Sequence, residues 1–268
     1  MVIKNISNAL FQSDDMNITQ LLRNNFSNEL LDVLYFKPKR VNKNIIEKKL
    51  NNKEYINKVK NTIEYFKNKD LEMIIKEKFE FFENETSNKL GNEKLYIIIG
   101  LDTTTIYSVK MNDEDVTVLL LESTNGSEQR LDMLLAHEFT HFIRKQKLNK
   151  NIFEDSIGER FVTEGIGCNY SREMVPNMTD SDYCILDNET VKWVKNNIDK
   201  IEEYMAGKIN NPELMNDYFS MTADPSIIGL PIRTGYVYGY LKVKNYLEKN
   251  NLTIKDIIGI DWKKILEK

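Results

Sequence analysis

Both histidines of the chain fall in one pentapeptide, His137-Glu138-Phe139-Thr140-His141, within a stretch of helical periodicity. Four residues are slightly more than one helical turn, so both imidazoles leave one face of the helix and can grip a single metal ion. Glu138 lies between them, angled to reach a metal-bound water rather than the metal itself. An H-E-x-x-H pattern also arises by chance, but here it takes up the whole histidine supply. It predicts catalytic zinc, carried on a helix that a core must hold still. Leu131, Leu134, Leu135, Phe139 and Phe142 form the broad apolar face that would anchor it. His137 and His141 lie together to one side of that face, bordering a cleft.

Length and charge narrow the classes. A chain of 268 residues has room for one large domain or two modest ones. With 41% hydrophobic and 29% charged residues it reads as soluble and globular. A net charge of −4, with lysines spread over many segments, gives no footprint for nucleic acid. No apolar run approaches the roughly 18 residues of a membrane span. Residues 1–10 have neither the apolar core nor the small-residue cleavage site of a signal peptide. Cys168 and Cys184 lack any motif spacing and read as reduced thiols, which points to a cytoplasmic protein.

Along the chain, residues 1–90 read as a helical region, with apolar repeats at 18–34, 45–50, 55–66 and 71–82. Residues 91–268 read as a second region that begins with short β-rich runs at 94–100, 106–111 and 116–121, broken by turns at 102–104 and 112–113. These predict a small, mainly antiparallel sheet. The metal helix follows at 128–147, then a helix at 155–172 and helices near 189–205, 212–219, 236–248 and Trp262. A sheet and helices that do not alternate make an α+β fold.

Catalytic zinc keeps three protein ligands and one open position. No histidine remains, so the third ligand is a carboxylate or a thiolate, and Glu164 is the first candidate. Gly165 and Gly167 beside it would let its helix approach the metal helix closely; glycines inside a helix cost about 1 kcal/mol each and so call for a packing reason. Glu159 and Asp155 are the rivals. Cys168, one turn beyond Glu164, could face the same cleft or be a buried inert thiol.

Three segments carry a resemblance: His137 to His141, then Glu164-Gly165-Ile166-Gly167, then Gly235-Tyr236-Val237-Tyr238-Gly239-Tyr240. They look like a bacterial family of domains of unknown function described as zinc-dependent proteases, over roughly residues 95–250. More broadly the chain is similar to the gluzincins, which pair H-E-x-x-H with a later glutamate. The resemblance implies His137, His141 and Glu164 as zinc ligands, Glu138 as base and a zincin-type active-site helix. Many gluzincins place an acid four positions beyond the glutamate ligand to orient the first histidine; here that position is Cys168. The strand that recognises a free amino terminus in related aminopeptidases has no counterpart, since Leu120-Leu121-Glu122-Ser123 stands there.

The implied activity is zinc-dependent hydrolysis of peptide bonds in a peptide or protein substrate, with Glu138 as general base. The candidate oxyanion donor beside the metal is Tyr236, with Tyr240 and Arg233 behind it, and the alternative is that residues 235–240 are a helix start with aromatic packing. The strand at 116–121 could pair an extended peptide if its edge is free. The alternatives are a zinc-binding regulatory protein without turnover and a non-peptidase zinc hydrolase. A structural zinc fills all four positions and needs no Glu138, which argues against the first.

Overall fold

Apolar runs decide the order of the sheet. In this computed structural model, residues 1–5, 7, 43–99, 104–111, 114–121, 127–150, 155–220 and 223–266 are described. The expected helix at 18–34 and the turn at 112–113 lie outside them. The chain divides into two compact units, Met1–Phe81 with Leu90–Leu134, and Phe82–Lys89 with Leu135–Lys268.

The first unit contains β1 (Val2–Asn5), α1 (Lys43–Leu50), α2 (Lys53–Phe66), most of α3 (Leu71–Thr86), β2 (Lys94–Ile99), β3 (Thr105–Met111), β4 (Glu114–Leu121) and the start of α4 (Ser127–Leu148). The sheet order is β1-β2-β4-β3; β1–β2 and β2–β4 are parallel, and β3–β4 is antiparallel. The expectation of a mainly antiparallel sheet is therefore corrected to a mixed one. β4 is buried continuously from Val116 to Leu121, and Leu95, Ile97 and Ile98 of β2 are buried too. Strands covered on both faces belong in the centre, where near-continuous apolar sequence pairs in parallel. β3, half-buried where its exposure is described, goes to the edge, its Ser108 hydroxyl 3.2 Å from that of Thr117 on β4. β4 thus lies between two partners and has no free edge for an added peptide strand. β1 went unread in the sequence because only four residues form it.

The helices of this unit follow from their apolar spacing. Asn52 caps α2, its side chain accepting from the Glu54 and Tyr55 amides at 2.8 and 3.3 Å. Tyr55, Val59, Ile63 and Phe66 form its buried stripe, and Leu71, Ile75 and Phe79 that of α3.

The second unit is built around α5 (Ile157–Met174), which is buried from Ile157 to Ser171 except for the partly exposed Arg160. Ser156 caps it, accepting from the Glu159 amide at 3.0 Å. Around it stand α6 (Asp180–Cys184), α7 (Asn188–Asn196), α8 (Ile198–Met205), a 3₁₀ turn at Pro212–Leu214, α9 (Met215–Phe219), α10 (Pro225–Ile228), α11 (Thr234–Asn250), α12 (Ile254–Ile257) and α13 (Trp262–Leu266). The single helix expected near 189–205 is two, broken at Asn197. Phe161 centres the apolar core, with the Tyr238 and Tyr218 ring centroids 4.8 and 5.2 Å away. α5 and α11 cross glycine on glycine: a Cβ on Gly165 would strike the Gly239 carbonyl, and one on Gly239 the Phe161 carbonyl. So Gly165 serves the approach of α11, while Gly167 faces the metal helix as expected. Among the described residues no helix is long and apolar enough to cross a membrane.

Candidate metal centre

Helix spacing on α4 and close packing of α5 bring three ligating side chains together. The His137 and His141 rings lie side by side, centroids 4.6 Å apart. Glu164 reaches them from α5, its Oε2 at 3.0 Å from His137 Nε2 and 3.7 Å from His141 Nε2. One donor atom from each of the three lies within 4.8 Å of the others, and all three residues are buried. Donors about 2.0–2.1 Å from a tetrahedral zinc stand roughly 3.3 Å apart, so this set needs only small shifts to close on an ion. Two imidazoles and a carboxylate are also the donor chemistry of a zinc that keeps one position open. The residues fit the metal.

The rival carboxylates are placed elsewhere. Glu159 is fully buried against Arg144, whose Nε donates to Oε1 at 2.6 Å. Asp155 pairs with Lys150 at 2.6 Å near the surface. Glu138 is buried beside the triad, with Oε2 3.9 Å from His141 Nδ1. The Thr140 hydroxyl donates to the His137 carbonyl at 2.7 Å, tying down the ligand-bearing turn.

A cation that the sequence reading missed stands behind Glu164. The Arg160 guanidinium lies 2.5 Å from Glu164 Oε1, one helical turn earlier on α5. Its position four residues before the glutamate was the available signal. Burial would raise the Glu164 carboxyl; Arg160 first, then the histidines, hold it well below the usual carboxylate range instead. Burial opposes protonation of His137, but the adjoining Cys168 sulfur and the Glu164 carboxylate, 3.0 Å from Nε2, outweigh it and raise the imidazole to about 10. His141 is pushed down by burial to about 3, against the opposing pull of the Glu164 charge.

Cys168 lies against His137 and against Cys184, and both thiols are free and fully buried. The hydrogen bond to Cys184 and burial push the Cys168 thiol well up, so it stays neutral. The neighbouring backbone is close as well: a Cβ on Gly167 would stand 2.7 Å from the His137 ring. Cys168 thus sits at the first histidine, four residues beyond Glu164.

Of the downstream candidates, Tyr236 is half-buried and feels the triad: burial and the Glu164 charge push its hydroxyl up, against Arg160 and Arg233. Its ring packs edge-on to Phe219 with centroids 5.5 Å apart. The Arg233 guanidinium covers that ring at 4.4 Å and donates to the Ile185 carbonyl at 3.2 Å. The Tyr240 hydroxyl points elsewhere, donating to Asp180 Oδ1 at 2.7 Å.

Comparison with known proteins agrees with this geometry. Residues 58–267 match the family described as "Predicted Zn-dependent protease (DUF2268)". The chain belongs to that family. The match covers all the DUF2268 residues named above as ligand, base and donor candidates. A curated relative, the "Uncharacterized protein YjfC" of Bacillus subtilis (strain 168), is 22% identical over 138 residues, covering 51% of this chain. The chain spans under half of that relative, 46% of its length. No solved structure matches at a significant level.

Proposed function

We propose that this DUF2268 chain is a zinc-dependent peptidase with a zincin-type active-site helix, in which His137, His141 and Glu164 hold the metal. The buried His-His-Glu triad with Glu138 beside it carries this reading. Zinc held by these three residues would supply a water whose pKa is lowered towards neutrality and a Lewis acid for the scissile carbonyl. Glu138 takes the proton from the attacking water and delivers it to the leaving amine. Its acceptor position beside His141 places it within the same buried setting as the ligands. Tyr236 donates its hydroxyl to the oxyanion that develops on the carbonyl. Arg233, stacked on the Tyr236 ring, holds that ring in place. Burial around the triad excludes bulk water and strengthens each of these interactions.

The test is metal content followed by turnover. Plasma emission analysis of protein purified without added metal should find about one zinc per chain, from the three-ligand set found among the described residues. Hydrolysis of a mixed peptide library should follow for the wild type and not for Glu138→Gln. Protein that takes up no zinc on dialysis ends the metal reading. Zinc with no hydrolysis in any library ends the peptidase reading and leaves a zinc-binding protein.

A further inference from the structure

We infer that Arg160 is a positioning residue for the metal, holding Oε1 of Glu164 so that the carboxylate offers Oε2 alone to the ion. This rests on the metal site proposed above. The two oxygens of Glu164 face different partners: Oε1 lies 2.5 Å from the guanidinium, whereas Oε2 lies 3.0 and 3.7 Å from the two imidazole nitrogens. Arg160 is itself restrained. Its side chain is 14% exposed, and the guanidinium sits over the Phe219 ring at 5.4 Å from the centroid. Both residues stand on one face of α5, so the helix fixes their spacing.

The restraint matters because a carboxylate can bind a cation through one oxygen or two. A second oxygen would take the position that catalytic zinc keeps open for water or substrate. A cation held at that oxygen keeps it from the metal, and the guanidinium does so with directed donors. Sharing the carboxylate charge with Arg160 also leaves the ion a stronger electrophile. The same positive charge repels a dication while it orients the ligand, so metal affinity mixes two opposed effects. Coordination number does not.

X-ray absorption on the zinc-loaded chain reads that number directly. The wild type should give about four donors, three from protein and one from water. Arg160→Met should move the count towards five as Glu164 engages both oxygens. Arg160→Gln, which keeps a neutral donor, should move it in the same direction by less, and Arg160→Lys should return it to the wild-type count. Cobalt-substituted samples should agree, with weaker visible bands for Met and wild-type intensity for Lys. A merely structural ion pair lowers the melting temperature of the variants and leaves both spectra unchanged. If Arg160→Met does not fold by circular dichroism, Arg160→Gln decides. A wild-type count in whichever neutral variants fold overturns the role of Arg160 and leaves the metal site standing. Wild-type protein that takes up neither zinc nor cobalt overturns the metal reading and this role together.

Discussion

Helix α5 carries two glutamates paired with arginines, and the two pairs differ in what remains once each is made. Glu159 accepts from Arg144 at 2.6 Å and from Thr163 at 3.0 Å on Oε1, while Lys150 stands 2.9 Å from Oε2. Arg144 Nη1 donates to the Ile258 and Ile260 carbonyls at 3.1 and 3.0 Å. Each charge there faces an opposite charge within the fold. Glu164 accepts from Arg160 on one oxygen only, and its second oxygen is turned towards two imidazoles. Buried charge persists only when it is compensated. The closed pair is compensated wholly within the fold, and the open one leaves donor atoms converging on a point. A pair whose charges are matched within the fold fastens helices, whereas one that leaves an oxygen turned towards two imidazoles keeps donor atoms together.

The largest expected effects come from breaking the two pairs separately. Arg144→Met leaves the buried Glu159 with Lys150 as its remaining cation and should cost up to about 3–5 kcal/mol of stability. In a chain of this size that lowers the melting temperature by roughly 6–20 °C. Zinc per folded molecule should stay unchanged. Glu164→Ala should abolish zinc uptake, read by plasma emission after dialysis. If Arg144→Met loses zinc from folded protein while Glu164→Ala retains it, the distinction between the pairs is wrong.

Glu138→Gln comes next and probes the open side alone. The amide keeps the shape of the side chain and its hydrogen bond to water but accepts no proton. Zinc content should hold while kcat falls by about 10²–10⁴-fold, the usual contribution of a general base. Unchanged turnover would remove Glu138 from the mechanism.

Legibility followed the range of the interactions. His137, Glu138 and His141 lie within one turn of α4, and helical spacing alone places both imidazoles on one face. Glu164 was reachable because its glycines announced a close helix approach, although Gly165 turned out to serve α11 and only Gly167 the His137 ring. Arg160 was overlooked because arginine four residues before glutamate is ordinary on a solvated helix; only burial makes it consequential. The sheet was harder. Which strand neighbours which depends on covering both faces of β2 and β4, a non-local demand that strand periodicity does not express. The three strand-forming runs at 94–121 were readable, while their order and the fourth strand at Val2–Asn5 were not.

Tyr236→Phe should have a smaller effect than loss of the base, lowering kcat by roughly 10²–10³-fold as for a lost oxyanion donor. Zinc content should be unchanged. Packing against Phe219 and Arg233 survives in the variant because the ring is retained, so a purely structural hydroxyl would change stability and leave turnover per folded molecule intact. Melting temperature and kcat measured on one sample separate the two. Unchanged kcat would end the oxyanion assignment for Tyr236.

Cys168 gives the smallest effect and asks whether a thiol can orient a ligand where an acid is usual. Hydrogen-bonded outer residues around a metal typically contribute 10–100-fold to its affinity. If the thiol orients His137, Cys168→Ala should weaken zinc binding by about that factor in chelator competition. Cys168→Ser, which keeps a group able to accept from the imidazole, should restore most of it. A packing role predicts the opposite ranking. Alanine is apolar and tolerable in the fully buried space beside Cys184, whereas a serine hydroxyl must find a new partner there or cost about 1–3 kcal/mol. The order of Ala and Ser in zinc affinity therefore decides the question independently of the size of either change. Serine binding zinc more weakly than alanine would reduce Cys168 to a packing residue and leave His137 oriented by Glu164 and the close backbone at Gly167 alone.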